Sequence, residues 1–166
     1  MNTFKKLSLV GLAVASVGAG AQYAHAADQT GNASAVIQNP IVITEDTAMD
    51  FATIIADAAG DTVTLTAAGS ISSTGSSTFS GTPAAGAFSV TGTPSAAVTL
   101  SFSTGDTLTG PGTAMNLGTF THDAGGSPAF DVAGDLAFDV GANLTVNATQ
   151  TAGSYSGTYT VTVDYQ

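Results

Sequence analysis

Few residues in this chain can do chemistry, and their spacing limits which chemistry it could be. His122 stands beside Asp123, an order that could serve a general base. A His–Asp neighbour pair in a loop is far more often plain surface. Asp131, Asp135 and Asp139 lie close enough in sequence to offer the carboxylate pair of a glycoside hydrolase. The chain has no Trp to supply a sugar platform, however, so the trio reads as a solvated acidic edge. The same three aspartates, or Asp57 and Asp61 in Asp57-Ala-Ala-Gly-Asp61, could offer oxygen ligands to calcium. Neither group matches the EF-hand loop or a Gly-Gly-x-Gly-x-Asp repeat. No serine sits in a Gly-x-Ser-x-Gly elbow, and with no Cys there is no thiol nucleophile, disulfide or zinc–thiolate site. The expectation is a protein that is not an enzyme, with no cofactor and no metal.

The charges exclude more. The only basic residues, Lys5 and Lys6, precede an apolar run from Leu7 to Ala21 that leads to Ala24-His25-Ala26. A positive start, a short apolar stretch and a small-x-small site predict a signal peptide over residues 1–26, hence secretion to the extracellular cell surface through the periplasm. The run is shorter than the ~20 apolar residues of a spanning helix, so no membrane insertion is expected after the signal is removed. Residues 27–166 then carry all 12 acidic residues and no Lys or Arg, a side-chain charge of −12. Such a chain cannot neutralise phosphates, which excludes nucleic acid. It is also unsuited to an anionic membrane surface, and it has no Arg clamp for an anionic substrate.

What must position the remaining residues is a set of strands. With 43% hydrophobic and only 8% charged residues, the composition is that of a folded domain, not a disordered tail. The period is two in Thr62–Thr66, Phe88–Thr91, Val98–Phe102, Asn143–Asn147 and Tyr159–Tyr165. Each run puts β-branched or aromatic residues on one face and Thr, Ser or Asn on the other. Gly60-Asp61, Gly81-Thr82-Pro83, Gly92-Thr93-Pro94, Gly105-Asp106, Gly110-Pro111-Gly112, Gly125-Gly126 and Gly134-Asp135 are the turn signals between them. The pattern predicts an all-β, immunoglobulin-like antiparallel β-sandwich. Phe51–Ile55 reads as a strand in preference to a helix, and Ser70–Gly81, nearly all Ser, Thr and Gly, as a long hairpin or exposed loop.

The C-terminus carries the most specific pattern. Tyr165 is penultimate and Gly153 is fourteenth from the end. Between them Tyr155, Gly157, Tyr159, Val161 and Val163 share the parity of Tyr165. This resembles the C-terminal β-zipper of pilins assembled by the chaperone–usher pathway. Near the other end, Gly31, Ala33, Ala35 and Ile37 alternate with Asn32, Ser34, Val36 and Gln38, and Pro40 then interrupts any ladder. Pilins of that kind begin with an unpaired extension that becomes a strand in a neighbour. With the signal peptide over 1–26, the resemblance implies a donor strand over 27–38 and a sandwich over 39–166 that lacks one strand. It also implies a zipper of Gly153, Tyr155, Tyr159, Val161, Val163 and Tyr165. The implied partners are copies of the chain in a head-to-tail filament, with a periplasmic chaperone and an outer-membrane usher. The donor's small side chains and the missing disulfide depart from the commoner pilin pattern.

The chain is also similar to a family of bacterial secreted domains described only as domain of unknown function 4402. The likeness lies in Ile41-Val-Ile43 followed by Asp50-Phe51-Ala-Thr-Ile54, in Ala87-Phe88-Ser-Val90-Thr-Gly92, and in Val140-Gly141-Ala-Asn-Leu144 with Gly153-Ser-Tyr155-Ser-Gly157-Thr-Tyr159. It implies a surface or pilus-like structural role and supplies no catalytic residues. The main competing expectation is a self-contained surface sandwich with an adhesive or carbohydrate-binding role. An ice- or surface-binding face built on Thr62/Thr64/Thr66 and Thr158/Thr160/Thr162 is weaker, because two short rungs are few.

Overall fold

The computed structural model describes residues 27–166. The segment expected to be a signal peptide lies outside the described residues. Residues 27–40 carry no strand and are exposed throughout, with Val36 and Ile37 90% and 92% accessible.

The rest is all-β and antiparallel, in eleven strands: β1 (Val42–Thr47), β2 (Thr53–Ile55), β3 (Asp61–Leu65), β4 (Ile71–Ser73), β5 (Thr78–Ser80), β6 (Gly86–Thr91), β7 (Val98–Phe102), β8 (Asp106–Leu108), β9 (Met115–His122), β10 (Asp135–Val146) and β11 (Val161–Tyr165). The large sheet has seven strands, and its spine is β10. The first half of β10 pairs with β6, from Asp135↔Thr91 to Val140↔Gly86. Its second half pairs with β3, from Ala142↔Leu65 to Val146↔Asp61, while β9 runs along the other edge of that half. β1 extends the sheet beyond β6, β4 beyond β3, and β8 beyond β9.

Two short ribbons cover this sheet. β7 and β11 pair through five residues each, Val98↔Tyr165 to Phe102↔Val161. β2 and β5 pair through three, Thr53↔Ser80 to Ile55↔Thr78. Each ribbon sits on its own core. Phe88, Val90, Phe138 and Val140 of the large sheet meet Val98 and Val163 of the first ribbon, with Phe130 beside them. Val63, Leu65, Leu117, Ala142, Leu144 and Val146 form the second core, against which Ile54 and Phe79 of the β2–β5 ribbon pack. The even-numbered residues of β10 from Phe138 to Val146 all point inward and are buried, as a period of two demands.

Two local outcomes differ from the sequence expectation, and a third strand carried no expectation at all. Ser70–Gly81 is not a bare loop but contains β4 and β5, which pair with different partners. The expected strand from Gly153 onward forms a ladder only over β11; residues 153–160 approach it irregularly, with one bridge, Ser156↔Thr109. β9 changes parity midway: Met115 and Leu117 face the core, then Phe120 and His122 do. Thr119 and Phe120 together oppose Ala142, a bulge in which Thr119 takes a φ of +50°. A β-branched residue there is strained, and the extra residue turns the rest of the strand over.

Candidate functional site

The two ribbons do not meet. Between β2 and the irregular stretch before β11 the second layer is open, and a groove of about 810 Å³ runs down to the large sheet. Its floor is Leu108, Met115, Leu117, Leu144 and Val146; its walls are residues 49–56 and 150–157, and Tyr159 closes one end. The floor belongs to the second core and is itself buried, with Leu117 and Leu144 only 4% and 1% accessible, so the exposed apolar surface of the groove lies at its rim. Ile55, 62% accessible, stands on the rim.

Of the zipper residues, Gly153, Tyr155 and Tyr159 line the groove, whereas Val161, Val163 and Tyr165 belong to the core under the β7–β11 ribbon. Gly153 lies against the ring of Pro111, where a Cβ would come within 2.5 Å. Tyr155 packs on the second core and donates its hydroxyl to the Thr151 carbonyl at 2.7 Å. Gly157 passes so close to the Thr107 carbonyl that no side chain fits there. The ring of Tyr159 stacks on Phe120 at 5.0 Å and meets Phe88 edge-on at 6.3 Å. Its buried hydroxyl has no hydrogen-bond partner, and burial, helped by the nearby Glu45 charge, pushes its pKa up to about 12. The phenol is therefore neutral at any physiological pH. Val161 is half-buried and Val163 buried, while Thr162 and Asp164 face out.

Tyr165 is the terminal member, and it does not reach the groove. Its ring leans on Phe130 at 5.9 Å. Its hydroxyl accepts from the Thr93 N–H at 2.7 Å and donates to the Asn39 carbonyl at 2.7 Å. The Asn39 N–H in turn donates to Thr93 Oγ1 at 2.6 Å. The penultimate tyrosine thus holds the first residue after the expected donor strand. Gly31, Ala33, Ala35 and Ile37 of that strand lie in the exposed stretch and form no ladder.

The residues first weighed for chemistry are occupied with holding loops. Asp61 is buried; that burial raises its pKa, but hydrogen bonds from Thr74, Ser77 and Gly75 outweigh it and hold the carboxyl well below the usual range. Asp57 is lowered by the N–H groups of Ala59 and Ser76. Both carboxylates therefore organise the link between β4 and β5. Asp131 is lowered by the N–H groups of Asp135 and Ala133, which close the turn before β10. Among the described residues no three His, Asp or Glu side chains converge on a possible metal position. His122 does not form a dyad with Asp123, whose carboxylate accepts from the Asp139 N–H. Its imidazole instead stacks on Phe102 at 6.0 Å, with Nδ1 buried and unpaired.

Sequence reasoning placed the apolar face of the last strand but not the groove, since a gap between two ribbons leaves no local mark. Comparison with curated proteins and with solved structures returned no match. A family model described as domain of unknown function (DUF4402) matches residues 41–165, the whole stretch that carries the strands.

Proposed function

The chain belongs to the DUF4402 family, and from that footing we propose that it is a non-catalytic structural subunit of an extracellular filament, polymerising by donation of residues 27–38 into the groove of the next copy. The observation that carries this reading is the groove itself: a cleft between two ribbons with an apolar floor, the exposed Ile55 on its rim and a free edge of β2 beside it. Open apolar surface beside an unpaired strand edge is an aggregation hazard unless something covers it. An extended segment with a free backbone is the natural cover, because it satisfies the edge while alternate side chains fill the floor. Residues 27–38 are such a segment, and at about 3.3 Å per residue they span roughly 40 Å, enough to cross the domain. Secretion through the periplasm, with a chaperone covering the groove until assembly, belongs to the same reading.

The geometry favours donation to a neighbour. Asn39, where the extension begins, is held at Thr93, just past the Thr91 end of β6. Met49 and Tyr159, which line the groove, sit at the Gly86 end of the same strand. Donor base and acceptor groove therefore lie beyond opposite ends of β6. A contact of that kind is head-to-tail and does not close, which generates a filament. The charge of −12 and the outward Thr and Ser faces keep such filaments soluble and mutually repelling.

The test is a chain beginning at Ala27 offered a labelled peptide of residues 27–38, with electron microscopy of the chain alone. Filaments and peptide binding are expected. Ile37→Asp should weaken the exchange, because its side chain is the largest of the donor parity, and Gln38→Asp much less. A chain that stays monomeric and ignores the peptide would instead be a self-contained surface sandwich with a loose tail.

A further inference from the structure

We infer that Tyr165 is a clasp that fixes the base of the donor segment, and so acts in donation while playing no part in acceptance; the inference rests on the groove reading above. The clasp is a closed ring of hydrogen bonds. The Thr93 N–H donates to the tyrosine oxygen, the tyrosine O–H to the Asn39 carbonyl, and the Asn39 N–H to Thr93 Oγ1, which also stands 3.1 Å from the tyrosine oxygen. Among the described residues the only other hydrogen bond of Asn39, from its Nδ2 to the Gly92 carbonyl, is 3.5 Å long.

The surroundings are shaped around the hydroxyl. Gly92 must lack a side chain, because a Cβ there would lie 2.5 Å from the Phe130 ring and 2.7 Å from the tyrosine oxygen. Gly92 is itself pinned by its N–H to the Gly134 carbonyl at 2.9 Å. Pro40 follows at once and restricts Asn39 to extended backbone. The chain therefore changes abruptly at Asn39, from a segment with no ladder to one held on both its N–H and its C=O. Partners 126 residues apart, one residue from the C-terminus and one at the foot of the extension, meet in a single bond. A strand that is to be inserted into a neighbour in one register needs a fixed origin, and a fixed origin reduces the conformational entropy lost on docking.

Tyr165→Phe removes the ring of bonds and keeps the packing on Phe130. In the chain beginning at Ala27, it should leave binding of the labelled peptide 27–38 unchanged and slow filament growth about tenfold, the effect of roughly one to two lost hydrogen bonds. Thr93→Val, which removes only Oγ1, should slow growth in the same direction, and the double variant should be no slower than Tyr165→Phe alone, since the members act as one unit. Unchanged growth in Tyr165→Phe overturns the clasp. So does a parallel loss of peptide binding, which would mean that the hydroxyl merely holds β11 in place. A parent chain that neither binds the peptide nor forms filaments overturns the groove reading, and the clasp with it.

Discussion

The two halves of the sandwich share one spine and one pattern of alternation, yet their covering ribbons differ in depth. Over the half built on Phe88, Val90, Phe138 and Val140, the ribbon of β7 and β11 runs five residues deep and its ends are tied down: the Gln166 N–H reaches the Ala97 carbonyl and its side chain the Val98 carbonyl. Over the half built on Leu65, Leu117, Leu144 and Val146, the ribbon of β2 and β5 is three residues deep and a groove opens beside it. Both floors are equally apolar. Both are also buried to the same degree, so the difference lies in the roof: the shorter ribbon leaves a groove beside it, and the proposed acceptor site is that groove.

The largest effect expected from breaking this contrast lies in the half with the deeper ribbon. Val163→Asp buries an unpaired charge between the ribbon and the sheet, at a cost of several kcal/mol, and should abolish cooperative thermal unfolding as followed by circular dichroism. Thr162→Asp, on the outer face of the same strand, should stay within about 0.5 kcal/mol of the parent. Equal effects would show that β11 has no inner face.

Filling the groove should sharpen the contrast and then erase it. In hydrogen exchange, amides of β2, β5 and residues 150–159 should exchange faster than those of β7 and β11, because fewer contacts hold them. Peptide 27–38 at a hundred times its Kd should stabilise the chain by about 2.7 kcal/mol, with the new protection confined to the open half. Protection spread evenly over both halves would place the peptide elsewhere.

Acid should act through the loops that frame the halves. Asp61, Asp57 and Asp131 are all lowered in the folded chain by hydrogen bonds. Their contribution is present above the ordinary carboxylate pKa near 4 and is lost as pH falls below it toward the depressed folded values. Melting temperature should therefore fall below pH 4, and Asp61→Asn should lower it at pH 7 while flattening the acid limb.

The smallest effect is alkaline. Tyr159 keeps its proton up to about pH 12 in the folded chain, against an ordinary 10 when unfolded. Between those values the folded state binds more protons, so stability declines as pH rises through that window. Tyr159→Phe should remove this decline, and at neutral pH should cost little, since the hydroxyl it deletes makes no bond.

Strands whose alternation is unbroken were legible from residue types alone. Val98–Phe102 is β7 to the residue, and Thr62–Thr66 overlaps β3 by all but one. β9 was not legible, because the bulge at Thr119 breaks its parity and Gly118 thins its apolar face. The first half of β10 was hidden behind Gly134-Asp135, which reads as a turn, and behind aspartates that read as a solvated edge. In the C-terminal pattern, Val161, Val163 and Tyr165 belong to the strand, whereas Gly153–Thr160 approaches it irregularly, with Gly157 close against the Thr107 backbone.

What the sequence by itself determined is the class and the charge: an all-β chain, strongly acidic beyond Lys6, with no Lys, Arg or Cys after that residue. These follow from composition and from side chains one or two positions apart, which local physics reads directly. Only the tertiary structure decided that the second layer stops short of closing, that Asp57, Asp61 and Asp131 spend their charge on backbone N–H groups, and that Tyr165 reaches back to Asn39. Each of these depends on which segments meet after the chain has closed long loops, and alternation within a strand says which face is buried but not what will lie against it.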